Sequence, residues 1–274
     1  MAVGGEAVRR PSRPFNAWWI LITVVVVIYL FLLAPLLIVV AVSFDPTDAF
    51  RFPPPGFSLR WYVAFFTSET FMKAFFRVSL LVALTVAVLA TVIGGMAAVG
   101  LVRFLTRGRA LLETLFLTPI VVPEILLGAA LFLYYTRLKV STSVAGLIAG
   151  HLLLAIPYVV RTVSAGLIGI DRSLEEAAMS LGASRAQAFW KVTMPLIRSS
   201  LLSAAIFAFI VSFSDINVAL FVAGPESMTL PVHIFSQIVW QPDPTIAAAS
   251  TLQILLIAAL LAIAQRVFRL RVAL

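Results

Sequence analysis

Asp171-Arg-Ser-Leu-Glu-Glu-Ala-Ala-Met-Ser-Leu-Gly182-Ala-Ser-Arg-Ala-Gln-Ala-Phe-Trp-Lys-Val-Thr-Met-Pro195 separates two long apolar runs, and its pattern organises the rest of the chain. Ser173 and Glu176 have the spacing of a capping box, in which each side chain covers an orphan amide of the other residue. Glu175 and Glu176 fall in the first turn, where they oppose the positive end of the helix dipole. Good helix formers carry that helix to Leu181, and Gly182 supplies a left-handed stop. Ser184 and Gln187 repeat the capping spacing, so a second short helix starts at once. Pro195 stands at the head of the next apolar run, in a first-turn position that tolerates proline. Ala177 and Ala178 keep one face small, so a second protein surface can approach closely. The stretch reads as a compact helix–glycine–helix knob; the alternative is an amphipathic linker lying on lipid headgroups.

The flanking runs are nearly free of charge. Residues 140–160 carry none, and residues 199–225 carry only Asp215. Residues 14–44, 78–102 and 244–265 are also uncharged, and 114–136 holds only Glu124. Each run meets the ~20 residues a helix needs to cross ~30 Å of hydrocarbon. Period-2 alternation is absent, so the spans are helices rather than barrel strands. The chain is 62% hydrophobic and 12% charged, about half the charge a water-soluble domain carries, so lipid must be the solvent for much of its surface. The expectation is an all-α membrane protein with six spans near residues 18–43, 75–102, 111–135, 143–163, 196–220 and 245–265. Residues 1–17 precede the six-helix transmembrane domain at 18–265, the loop lies at 164–195 and the tail at 266–274. The first span begins too late and runs too long for a cleavable signal, so it is read as retained. Trp18 and Trp19 stand where an aromatic belt would place them.

With the N-terminus inside, fourteen of the twenty lysines and arginines fall on inner segments, among them Arg9, Arg10, Arg13, Arg103, Arg269 and Arg271. That asymmetry puts both termini in the cytoplasm. The basic residues sit between apolar runs rather than in one patch, which argues for membrane orientation and against nucleic-acid binding. There is no cysteine, and His151 and His233 are too far apart for a zinc motif. An intramembrane hydrolase would need a nucleophile with a base or paired metal ligands, and the sequence offers no such set. No GxxxxGK[ST] phosphate loop is present, so the chain itself has no place to hydrolyse ATP.

The 171–195 stretch resembles the EAA signature of binding-protein-dependent ABC importer permeases: Glu176-Ala177-Ala178, Gly182, and the ending Val192-Thr193-Met194-Pro195. Val192 and Met194 replace the usual Ile and Leu of that ending. Thr118-Pro-Ile-Val-Val-Pro-Glu-Ile-Leu-Leu-Gly128 and Ser212-Phe-Ser-Asp-Ile-Asn-Val-Ala-Leu-Phe-Val-Ala-Gly-Pro225 are similar to the spermidine/putrescine-type permeases of that superfamily. Thr229-Leu-Pro231 and Ile246-Ala-Ala-Ala-Ser-Thr251 add to it, and the likeness covers most of the chain from residue 75 onward. The resemblance implies a type I, methionine-importer-like permease fold in a bacterial cytoplasmic membrane. It implies a coupling helix, carried by Glu175, Glu176, Ala177, Ala178, Gly182 and Pro195, that docks on a cytoplasmic ABC ATPase dimer. A second permease chain and an external solute-binding protein complete the assembly. ATP and magnesium would sit on the ATPase, with no cofactor on this chain. The implied solute is a polyamine, although Ser214-Asp215 stands where the polyamine branch often has two acidic residues. An aminophosphonate or ferric iron is the alternative cargo. A gradient-driven secondary transporter is the alternative mechanism, against which stands the lack of an evident inverted repeat.

The charges inside the spans are the candidate solute path. Glu124 lies about 15 Å deep by helical rise, after Pro119 and Pro123, which break the backbone ladder. It either lines a water-filled path or joins two helices as a hydrogen-bonded acid. Asp215 with Ser212 and Asn217 either attracts a cationic solute from outside or forms a satisfied network between permease halves. His151 reads as a packing residue, and Gly94, Gly95 and Gly100 as points of close helix contact.

Overall fold

A computed structural model of the chain describes residues 15–105, 107–139, 143–240 and 242–268. Arg9, Arg10, Arg13, Arg269 and Arg271 lie outside the described residues. The first charge-free run forms α1, Phe15–Val42, which is apolar on every side. Its side chains face outward, Phe31 being 78% exposed, and it leans along the last helix, α13, Thr245–Phe268. A helix apolar all round has no water-facing side, so this surface belongs to lipid or to another chain.

A short helix α2, Arg60–Thr67, docks on the end of α1. Trp61 Nε1 donates to the Asp45 carbonyl at 2.8 Å, and Tyr62 Oη and Ser43 Oγ are hydrogen-bonded at 2.7 Å. The second span starts earlier than expected. Ser68 caps α3, Glu69–Met72, and a π-helical stretch, Lys73–Leu80, joins it to α4, Leu81–Val99. A second π-helical stretch, Gly100–Phe104, completes one 36-residue helix over Glu69–Phe104.

The third span is not one straight helix over 111–135. α5, Arg109–Val121, and α6, Glu124–Leu138, meet at a 96° bend. Val122 is extended because a residue preceding proline is pushed out of the helical region. Pro123 has no N–H to continue the ladder, so the chain restarts at Glu124. Among the described residues, five helices are long and apolar enough to cross a membrane, or six when this bent pair counts as one span.

α4, α7 (Val144–Ile168) and α10 (Met194–Ser214) pack together as the centre of the bundle. Val82, Val86, Leu147, Val159, Ala204 and Ala208 are buried between them. Small residues allow the approach: a Cβ on Gly94 would lie 2.8 Å from Val159 Cγ1, and one on Gly166 2.2 Å from Ser200 Oγ. A Cβ on Gly95 would make only ordinary contact with Leu201, but one on Gly100 would have nothing within 4 Å, so close packing does not account for that glycine.

Pro195 does not open the fifth span either. Helix runs unbroken from α9, Arg185–Ala188, through a π-helical stretch, Phe189–Thr193, into α10. The wider turns fall where Pro195 lacks an N–H and its ring crowds the carbonyl of residue 191. On the outer side, the segment between the fifth and sixth spans contains α12, Leu230–Trp240. It is held to the second span by a Leu230 N–H bond to Ser79 Oγ, by a Lys73–Glu226 ion pair, and by the rings of Phe71 and His233 at 4.5 Å.

Candidate functional site: the inner knob and the broken spans

The knob forms as a helix, a glycine corner and a second helix, but its first cap differs from expectation. α8 spans Ser173–Ser180, and Asp171, not Ser173, covers its start: Asp171 Oδ1 accepts the Ser173 N–H at 2.9 Å. The Ser173–Glu176 box does not close because Asp171, a stronger acceptor two residues upstream, takes the exposed amide. The bond from the Ser173 amide, with its hydroxyl in support, holds the Asp171 carboxyl below the usual range. The Ser184–Gln187 box is present in both directions.

Gly182 has φ of +90°, a conformation rarely open to other residues. Ala183 N–H bonds to Ala178 O at 3.1 Å and Gly182 N–H to Met179 O at 3.0 Å, the paired bonds of a Schellman stop. Glu176 and Ala177 are exposed and Ala178 is half-buried. Leu181, at 91% exposure, projects from the corner with no cover.

Glu175 fastens this knob to the bundle. Its Oε1 lies 3.1 Å from Arg103 Nε, at the inner end of the second span, and accepts the Thr193 hydroxyl at 2.6 Å. Glu175 is half-buried, and the Arg103 side chain is only 9% exposed. Neither partner was singled out in the sequence. Arg103 reads there as one more orientation charge, and Thr193 as the variable position of the ending.

The four candidate path residues divide into two pairs. Ser212 and Asp215 are buried against His151: Nδ1 is hydrogen-bonded to Ser212 Oγ at 2.8 Å, and Nε2 stands 3.3 Å from Asp215 Oδ2, out of line for a hydrogen bond. Asp215 ends α10 in an extended conformation, and its Oδ2 accepts the Ala219 N–H at 2.9 Å, capping the short α11, Ala219–Val222. Asn217 and Glu124 form the other pair, with Asn217 Nδ2 donating to Glu124 Oε2 at 2.7 Å.

Glu124 is exposed at the first turn of α6, where the helix dipole favours its charge. One turn on, Gly128 lets the 217–218 backbone in; a Cβ there would meet Asn217 O at 2.9 Å. Two interrupted helices thus touch at their breaks, one presenting a carboxylate and the other an amide. Such interruptions at membrane depth are tolerated where backbone is buried in protein or lines a cavity.

Residues 90–274 match the family described as binding-protein-dependent transport system inner membrane component. The chain is 31% identical to the spermidine/putrescine transport system permease protein PotC of Haemophilus influenzae, over 88% of this chain and 93% of that one. It is 33% identical to the putrescine transport system permease protein PotI of Escherichia coli, over 84% of each. A chain from the crystal structure of a bacterial ABC transporter involved in import of the acidic polysaccharide alginate superposes with a TM-score of 0.70. That match has 15% identity and covers 95% of this chain and 96% of the other, which speaks to the fold. Helical spans, inner knob and matched residues agree: this chain belongs to the inner membrane components of binding-protein-dependent transport systems.

Proposed function

We propose that the chain forms one half of the membrane path of an ATP-driven bacterial importer for a polyamine, in the cytoplasmic membrane. A second, similar permease chain supplies the other half, a cytoplasmic ABC ATPase dimer carries ATP and magnesium, and an external binding protein delivers the solute. The observation that carries this reading is the exposed knob tied through Glu175 to the ends of the second and fifth spans. A companion that grips Glu176, Ala177 and the Gly182 corner when its subunits close pulls on both spans at once. Pro195 sits just beyond the π-helical stretch through which that pull enters α10.

The names of the two permease relatives support the polyamine, and so does Glu124, a carboxylate exposed at the break within the third span. A carboxylate at that depth favours a cation over a neutral solute. One observation favours a second cargo class: Asp215 is buried against His151, which leaves Glu124 as the one exposed carboxylate at these two breaks for a solute that carries several amines. An aminophosphonate, whose single ammonium group needs only one such carboxylate, is that second class.

The test is uptake by the complete importer in proteoliposomes. Labelled spermidine should enter only with ATP on the inner side and binding protein on the outer, regardless of an imposed proton or sodium gradient. Uptake that follows a gradient without ATP would sink the importer reading. Failure with spermidine but success with an aminophosphonate would overturn the solute alone.

A further inference from the structure

Beside the knob, a cleft of about 660 Å³ opens between α4 and the start of the fifth span. Its walls are apolar side chains, with Val92, Met96, Phe104, Trp190 and Leu201 among them. Trp190 is 64% exposed. The cleft continues into a second hollow of about 460 Å³, and Val99, Phe104, Phe189 and Trp190 border both. The second hollow is of a different kind, because Arg103, Arg172 and Arg185 line it with Glu175 and Glu176. Glu175 is committed to Arg103 and Thr193. Arg172 and Arg185 form no ion pair among the described residues. The Arg103 side chain is nine-tenths buried, yet its Nη2 has no hydrogen-bond partner among the described residues. A buried guanidinium nitrogen without an acceptor is costly, and a phosphate oxygen is the acceptor its geometry suits.

We propose that this continuous cleft binds an anionic phospholipid of the inner leaflet. An acyl chain lies in the apolar part, and the headgroup phosphate meets Arg172 and Arg185, beside the buried Arg103 guanidinium. The apolar part, at about 660 Å³, lies within the ~300–1,000 Å³ typical of ligand clefts, room for a chain rather than a whole lipid. The position fits the occupant. Arg103 ends a span, Trp190 is the amphipathic aromatic expected at headgroup level, and unpaired basic residues on the cytoplasmic side attract anionic lipid. Lipid in this place would touch the knob and the ends of both spans it moves, so leaflet composition would bear on coupling.

The test is native mass spectrometry of the complete importer, extracted in mild detergent and offered phosphatidylglycerol or phosphatidylcholine. The wild-type complex should retain phosphatidylglycerol in preference to phosphatidylcholine. In Arg172→Gln/Arg185→Gln, retention should fall about twenty-five-fold, from roughly fivefold for each basic residue lost near an anionic headgroup. Arg172→Lys/Arg185→Lys should keep most of it, which separates lost charge from lost folding. A bromine-labelled acyl chain should quench Trp190 relative to a Trp190→Phe control. Equal retention of the two lipids, retention unchanged in the double Gln variant, or efficient cross-linking of Met96→Cys to the second permease chain would each overturn the proposal. The last would show that protein fills the cleft.

Discussion

Glu124 and Gly182 each do something that a neighbouring residue type cannot. At Glu124, the Asn217 amide needs an oxygen acceptor, while a cation on the proposed path would need a negative charge. Glu124→Gln keeps the first and removes the second. We expect normal assembly and about a tenfold rise in the KM for spermidine uptake, the scale of one lost hydrogen bond to a charged group. An unchanged KM would place Glu124 in helix pairing alone. At Gly182 no side-chain collision is waiting, since nothing lies within 4 Å of an added Cβ. The penalty of Gly182→Val is backbone strain at φ +90°, about 1–3 kcal/mol, which the knob avoids by opening its corner. Membrane insertion should survive while solute-stimulated ATPase activity falls severalfold. Gly182→Asn should lie between, because asparagine tolerates left-handed backbone better than valine.

The elements show which signals are local and which are not. Gly94→Leu should disrupt the α4–α7 contact, with about 1–3 kcal/mol of overpacking against Val159 seen as a lower melting temperature in detergent. Gly100→Ala, with open space around it, should be neutral or slightly stabilising. The knob's tether is tested by Glu175→Gln, which spares the Thr193 bond but leaves Arg103 facing a neutral group. About 1–3 kcal/mol is expected for a buried group left unsatisfied. A double-mutant cycle with Arg103→Gln should give a clear coupling energy, and strict additivity would deny the tether.

The charge-free runs were legible because lipid demands them, and the Ser184–Gln187 box because its partners are three residues apart. The Schellman corner was legible in one glycine. The Ser173 box was misread because Asp171 competes for the same amide. Pro119 and Pro123 announced a broken ladder, but not a 96° turn. His151 with Ser212, 61 residues apart, and Arg103 with Glu175 leave no trace in local spacing. Such pairs exist only once α4, α7 and α10 have packed.

At the scale of the whole molecule, the outer and inner faces are fastened differently. Outside, Lys73 and Glu226 join the second span to the segment leading into α12, both in reach of water. The Lys73 hydrogen bond, with its charge, holds the Glu226 carboxyl below its ordinary 4.5. A carboxyl depressed by folding keeps its tie at and above the ordinary value and loses it as pH falls through the lowered one. Spin labels placed across this contact should therefore report one distance from neutral pH down to that value, and a longer one only in stronger acid. Loosening already at neutral pH would contradict the pairing.

Inside, the fastening has another character. Both partners of Glu175 stand on π-helical stretches, Arg103 on Gly100–Phe104 and Thr193 on Phe189–Thr193. Over-wide turns rewind more readily than regular ones, since a single residue of register separates the two windings. A pull on the knob, as proposed above, would thus arrive through a pair of slip couplings. Small jolts would be taken up as a change of winding, and a sustained one, after the play is exhausted, would turn the rods themselves.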